Sequence, residues 1–285
     1  NKLLIMLTET IKGISYMNNY AIGVFDSGMG GLTAVKELNA LMPDEDIIYF
    51  GDTARIPYGS RSRETVLKYA KEDVSFLLKH NIKMIIAACG TVSSVIGSKP
   101  LVDNMPFTGV ILPAAQAACA ATKNGKIGVI GTPATIRSGS FGKAIKAINP
   151  HAAVIGNACP LFVHLVENGY TSKNCEITRL AAEEYLTPIK AEGVDTLILG
   201  CTHYPVIKEV IADIMGDGVR LISSGAEAAK YAQSCLMSAD LLNDGGRCGK
   251  NIFYVSDSKE LFEENAKHFL EHPVNGEVFS CNLGE

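Results

Sequence analysis

Residues 21–38 read AIGVFDSGMGGLTAVKEL, and their pattern decides the fold class. The apolar run 21–25 stops at Asp26-Ser27-Gly28, after which Leu32, Val35 and Leu38 recur at helical spacing. That is a buried strand, a tight turn and a helix. The same succession continues with strands at 47–50, 84–88, 126–130, 154–156, 196–199 and 220–222 and helical patterns around 65–78, 140–148 and 174–191. A strand at 252–255 and a helix at 259–270 follow a linker at Gly245-Gly246 and are expected to dock on the first half of the chain. Strands alternating with helices build parallel βαβ units whose sheet faces the helices cover, so the fold class is α/β.

An internal echo refines this. IGVFDS at 22–27 resembles IGVIGT at 127–132, and MIIAACGT at 84–91 resembles TLILGCT at 196–202. The displacements, 105 and 112 residues, are similar and in the same order, which points to two related α/β lobes. Each lobe carries a cysteine, Cys89 or Cys201, where a strand ends. Ligands of open α/β sheets bind at that carboxyl edge. The expected division is an extension at 1–16, a first lobe at 17–113 plus 225–285, and a second lobe at 114–224.

Composition narrows the function classes. The chain has 285 residues, 47% hydrophobic and 20% charged, with 27 glycines, which fits a globular protein with a real core. Lys+Arg total 26 against Asp+Glu 30, a net charge of -4 without a basic stripe, so nucleic acid is not an expected partner. No apolar run approaches the roughly 18 residues needed to span a bilayer, so a membrane is not expected either. Eight cysteines are spread thinly with no CxxC pair, which suits reduced thiols in a cytoplasm and gives no metal site. The apolar stretch 3–7 is too short for a signal peptide, and Met17 reads as a native start after an extension at 1–16.

Three places can carry chemistry. The turn Asp26-Ser27-Gly28-Met29-Gly30-Gly31 can present backbone N–H groups to an anion above a helix N-terminus, or it is simply a tight βα loop. It fails the dinucleotide fingerprint because Thr33 stands at the third glycine. Asp52 ends a second strand, and Pro57-Tyr58-Gly59 follow; this is an ordinary capped turn or the wall of a small pocket. Cys89-Gly90-Thr91 and Cys201-Thr202-His203 form the third. A cysteine at the start of a loop or helix has its thiol pKa lowered by the dipole, which would make each thiolate a usable base. Thr91 and Thr202 can bind a carboxylate or the thiolate, and His203 can orient or exchange protons with a thiol. Two thiols from opposite lobes can flank one carbon, one removing its proton while the other donates to the opposite face, which inverts a stereocentre without a cofactor. The α-proton of an amino acid is hard to remove, so such a site must grip the substrate, exclude water and stabilise a carbanion-like transition state.

With these residues in hand, the chain resembles the pyridoxal-independent glutamate racemases of the aspartate/glutamate racemase superfamily. IGVFDSGMGGL, IIYFGDTARIPYG, MIIAACGTVSS, PLFVHLVENGY and LILGCTHYP carry the resemblance, in order, between about residues 21 and 270. It implies two pseudo-symmetric lobes with D- or L-glutamate in the cleft, Cys89 acting on the D-enantiomer and Cys201 on the L-enantiomer. It implies catalytic support from Asp26, Asp52, Glu167 and His203. Substrate contacts are implied for Asp26, Ser27, Pro57, Tyr58, Gly59, Gly90, Thr91, Thr132, Thr202 and His203. It also implies no cofactor, a homodimer, and supply of D-glutamate for peptidoglycan. Glu167 owes its place to the resemblance alone; by itself it reads as a solvated acid at a helix end.

One departure matters. Where those racemases usually have Cys-Asn-Thr, this chain has Cys89-Gly90-Thr91, and Gly90→Asn is therefore expected to restore a side-chain amide and tighten glutamate binding. The alternatives are a racemase of aspartate or another amino acid, and, from a different class, a non-catalytic small-acid-binding or thiol redox protein. The last needs only one essential thiol, whereas both halves here supply a cysteine followed by a threonine hydroxyl.

Overall fold

A computed structural model describes residues 18–97, 100–103, 105–243 and 245–282. The extension expected at 1–16 and the start expected at Met17 lie outside these residues. Ten strands fall into two sheets. The first contains β1 (Ala21–Asp26), β2 (Ile47–Gly51), β3 (Ile82–Ala87), β4 (Phe107–Gly109), β9 (Asn251–Val255) and β10 (Glu277–Ser280), in the order β10-β9-β2-β1-β3-β4. The second contains β5 (Lys126–Gly131), β6 (Ala153–Ala158), β7 (Thr196–Leu199) and β8 (Arg220–Ser223), in the order β6-β5-β7-β8. Every pairing is parallel.

The internal echo is a property of the fold. The order β2-β1-β3-β4 in one sheet is repeated as β6-β5-β7-β8 in the other. The two matched sequence pairs are β1 with β5 and β3 with β7. Cys89 and Cys201 therefore occupy equivalent places just beyond the third strand of each unit.

All six residues of β1 are buried, as a central strand covered on both faces requires. Eleven helices surround the sheets: α1 (Leu32–Leu41), α2 (Arg63–Leu77), α3 (Gly90–Ile96), α4 (Ile111–Ala121), α5 (Pro133–Ser138), α6 (Ser140–Ile148), α7 (Pro160–Glu167), α8 (Glu176–Ala191), α9 (Lys208–Met215), α10 (Ser224–Ser238) and α11 (Lys259–Leu270), counted among the described residues. Side-chain oxygens of Ser62, Thr132, Ser223 and Ser258 cap α2, α5, α10 and α11, each accepting from an N–H three residues on. The cap at Ser62 starts α2 at Arg63, two residues before the expected start.

The strand expected at 252–255 pairs with β2, so the C-terminal segment docks on the first sheet. The expected lobe junctions at 113/114 and 224/225 fall within α4 and at the start of α10. Both helices touch elements on either side: α4 packs on α3, α6 and β7, and α10 on α1, β3 and β8. The core is continuous from lobe to lobe through them. Among the described residues no helix is long and apolar enough to cross a membrane.

Candidate active site

The strand ends that carry the two cysteines meet across the lobe boundary, where Gly90 lies against Gly200 and Thr91 faces Thr132. Cys89 is the N-cap residue of α3, and its thiol donates to Ser27 Oγ at 3.5 Å, in the turn after β1. Cys201 follows β7, and its Sγ lies 3.8 Å from His203 Nδ1. The two thiols are 5% and 6% exposed. Each is close enough for the charge of Cys201 to act on Cys89.

The expected lowering of the thiol pKa is corrected at Cys89. Burial and the nearby Asp26 charge push this thiol up to about 12, and the bonds from Ser27 and the Val92 N–H at the helix start only partly oppose them. Removing water costs the thiolate more than one short helix returns. Cys89 is therefore held in its protonated form in this state. Asp26 is fully buried at the end of β1, and burial raises its pKa too, against His203 and the N–H groups of Gly31, Gly28 and Ser27. Gly28 N–H donates to Asp26 Oδ2 at 3.1 Å, while Oδ1 has no partner among the described residues. Tyr49 fixes the turn from below by donating its hydroxyl to Gly28 O at 2.7 Å.

On the opposite side, His203 joins Cys201 to Glu167. Its Nε2 lies 3.2 Å from Glu167 Oε1 at the end of α7. Burial disfavours the charged ring, but the hydrogen bonds and charges of Cys201 and Glu167 outweigh it and hold His203 up to about 10. A proton bound more tightly in the folded state adds stability that is complete below the ordinary value of 6.5 and is lost as pH rises through about 10. Urea midpoints are thus expected to fall across that window, and in Glu167→Gln the fall should be smaller and end at lower pH. A midpoint that moves identically in both proteins would show that Glu167 does not hold the imidazolium.

The remaining expected residues gather around these two groups. Thr91 Oγ1 lies 3.1 Å from Thr132 Oγ1 across the lobe boundary, and Thr132 also caps α5. Thr33 Oγ1 donates to Thr202 O at 3.0 Å, a second bond between the lobes. Gly30 faces Thr202 and His203 so closely that any Cβ would strike them. Tyr58 and Gly59 form a turn at Tyr58–Ser60 against Thr132, with Pro57 exposed beside it. Asp52 is brought to the edge of this group and not into it. All its side-chain bonds go to Arg55, Tyr58 and Ser256.

Gly90 overturns the expectation attached to it. A Cβ at this position would sit well inside van der Waals contact of the Gly200 carbonyl oxygen, a backbone atom of the other lobe. The glycine is what lets the β3 and β7 ends approach, and an asparagine there would have to push the two strand ends apart. Sequence reasoning also missed Arg55, Asp73, Ser256 and Tyr49, which hold the site from behind. Only their place in motif IIYFGDTARIPYG hinted at Tyr49 and Arg55.

Among the described residues no cluster of three or more potential metal-ligating side chains occurs. A cavity of about 1010 Å³ opens on the far side of α3, lined by Arg61, Ser94, Arg137 and Lys143 among others, and includes neither thiol.

The profile of the family described as Asp/Glu/Hydantoin racemase matches residues 31–232. A glutamate racemase of Geobacter metallireducens is 45% identical over 264 residues, 92% of this chain and 97% of its own length. Among solved structures, a glutamate racemase of Bacillus anthracis superposes with a TM-score of 0.87 at 36% identity, covering 93% of this chain and 98% of that one. One from Francisella tularensis, solved in complex with D-glutamate, superposes with a TM-score of 0.84 at 40% identity over the same shares.

Proposed function

The chain belongs to the Asp/Glu/Hydantoin racemase family and is an isomerase of that family, and from this premise we propose that it interconverts L- and D-glutamate by two-thiol acid–base catalysis. The observation that carries the reading is the pair of buried thiols at equivalent strand ends of two repeated units, near enough for the charge of one to act on the other.

In the L-to-D direction, Cys201 takes the α-proton on one face while the Cys89 thiol donates its proton to the other, so the α-carbon inverts and the two thiols exchange protonation states. Neutral His203 first takes the Cys201 proton, and the resulting imidazolium, braced by Glu167, faces the Cys201 thiolate with Nδ1 and returns the proton when the reaction runs from D to L. Asp26, buried beside Cys89, does the same on its side. The N–H groups of Ser27, Gly28 and Gly31 in the turn after β1 are turned to Asp26, so the hydroxyls of Ser27, Thr91, Thr132 and Thr202 hold the carboxylates, and with bulk water excluded these fixed donors stabilise the carbanion-like transition state. Asp52 acts on the substrate turn at residues 57–59. The lobes are assigned as 17–113 plus 225–285 and 114–224, with α4 and α10 as the shared joint. A homodimer, a cytoplasmic location and supply of D-glutamate for peptidoglycan complete the proposal.

Each amino acid, glutamate and aspartate, is incubated separately with purified protein and resolved by chiral chromatography without added cofactor. Racemisation of glutamate supports the reading; aspartate racemised in preference to glutamate would replace the substrate. Activity is expected to survive dialysis against chelator, with no visible-region absorbance, since the thiols supply both acid and base. A stoichiometric chromophore or metal whose removal abolishes turnover would overturn the two-thiol scheme.

A further inference from the structure

Behind the substrate turn lies a polar group that the reaction itself does not use. Arg55 donates from Nε to Asp52 Oδ2 at 2.6 Å and from Nη2 to Asp73 Oδ1 at 3.1 Å, binds Glu72 through Nη1, and stacks 4.0 Å over the Tyr69 ring. Tyr58 donates its hydroxyl to Asp52 Oδ2, and its oxygen lies 3.3 Å from Asp73 Oδ2. Ser256, after β9, donates to Asp52 Oδ1 at 2.8 Å and accepts from the Ala54 N–H at 2.9 Å. Asp52 and Asp73 are both fully buried.

A charge and proton inventory of this cluster singles out Asp73. One guanidinium faces three carboxyl groups, two of them without access to water. Tyr58 has a single proton, and Asp52 receives it. The remaining contact, Asp73 Oδ2 to the phenol oxygen, is completed by a proton on Asp73. Burial and the Asp52 charge act in the same direction, raising Asp73 well above the ordinary carboxyl value despite Arg55. Residues 53–60, so tied to β2, α2 and β9, reach the second lobe as a strap, where the turn Tyr58–Ser60 packs on α5 and Gly59 meets Thr132.

We propose that Asp73, as a neutral carboxylic acid donating to Tyr58 and accepting from Arg55, is a positioning residue that sets the strap at residues 57–59 over the substrate. The proposal rests on the glutamate reading above for its substrate. Asparagine reproduces both bonds, with its amide N–H for Tyr58 and its carbonyl for Arg55; leucine has the volume and neither bond.

The test compares the parent protein, Asp73→Asn and Asp73→Leu by KM and kcat for both enantiomers, and by amide hydrogen exchange across residues 53–61 without substrate. Asp73→Leu is expected to raise KM about tenfold, the size of one lost hydrogen bond to a charged or buried group, with little change in kcat, and to speed exchange in residues 53–61 selectively. Asp73→Asn should keep KM within about twofold and the parent exchange pattern. A KM raised equally in both variants would show that the negative charge is needed and overturn the proposal, as would a leucine variant with parent KM and exchange. If the leucine variant does not fold, the asparagine variant decides alone, since its KM either stays or rises tenfold. Should the parent not racemise glutamate, the functional reading fails, while the exchange comparison still decides whether Asp73 holds the strap.

Discussion

Cys89→Ala and Cys201→Ala are each expected to reduce glutamate racemisation by about 1,000-fold or more, in both directions, without unfolding the protein. The thiols stand on opposite lobes and in the proposed mechanism serve opposite faces of one carbon, so neither would substitute for the other. Loss of either leaves a carbanion with no proton source on one side. The structural cost is small, because a buried sulfur replaced by hydrogen loses little apolar contact compared with a leucine truncation. The measurement is chiral chromatography from each enantiomer, with α-proton exchange in heavy water and circular dichroism on the same samples. Near-normal racemisation by either variant would exclude the mechanism. Cys119→Ala serves as the control: among the described residues its thiol reaches only the Ile145 carbonyl, at 3.9 Å, on α6, and the variant should keep parent activity.

Gly90→Asn is expected to lower kcat/KM for both enantiomers by about 10- to 100-fold, equivalent to overpacking of about 1–3 kcal/mol. The obstacle is the β-carbon itself against the Gly200 carbonyl, so Gly90→Ala should lose a similar amount. The strain falls between lobes. It is relieved by holding them apart, so activity should suffer more than the unfolding midpoint. A variant with asparagine that binds glutamate more tightly than the parent would show that the lobes close differently from the arrangement described. Steady-state kinetics of all three proteins, read beside their urea midpoints, separates these outcomes.

How far the chain could be read without coordinates differs from element to element. The central strands β1, β3, β5 and β7 are apolar runs of four to six residues covered on both faces, and each was legible. The boundaries of α6, β7 and α11 match the sequence pattern residue for residue. β4, only three residues long and at a sheet edge, and β10, mostly exposed, carry too few buried positions to leave a period. α4 and α10 were missed for a different reason. Their alanine-rich faces, ILPAAQAACAA and SGAEAAKYAQSCLMS, pack on elements of both lobes, so no single polar stripe marks them out.

What the sequence determined by itself is what local pattern and repetition can encode: an α/β chain, two related units, and a cysteine followed by a hydroxyl residue at the same strand end in each. What only the tertiary structure decided depends on groups distant in the chain and on exclusion of water. The bracing of His203 by Glu167 spans 36 residues, and the contact of Gly90 with Gly200 spans the two lobes. The direction of the Cys89 shift belongs here as well. Helix position, visible in sequence, argued for a lowered pKa, whereas burial beside Asp26, which the packed lobes create, raises it. Desolvation of a charge is a property of everything around it, and no window of sequence contains that surrounding.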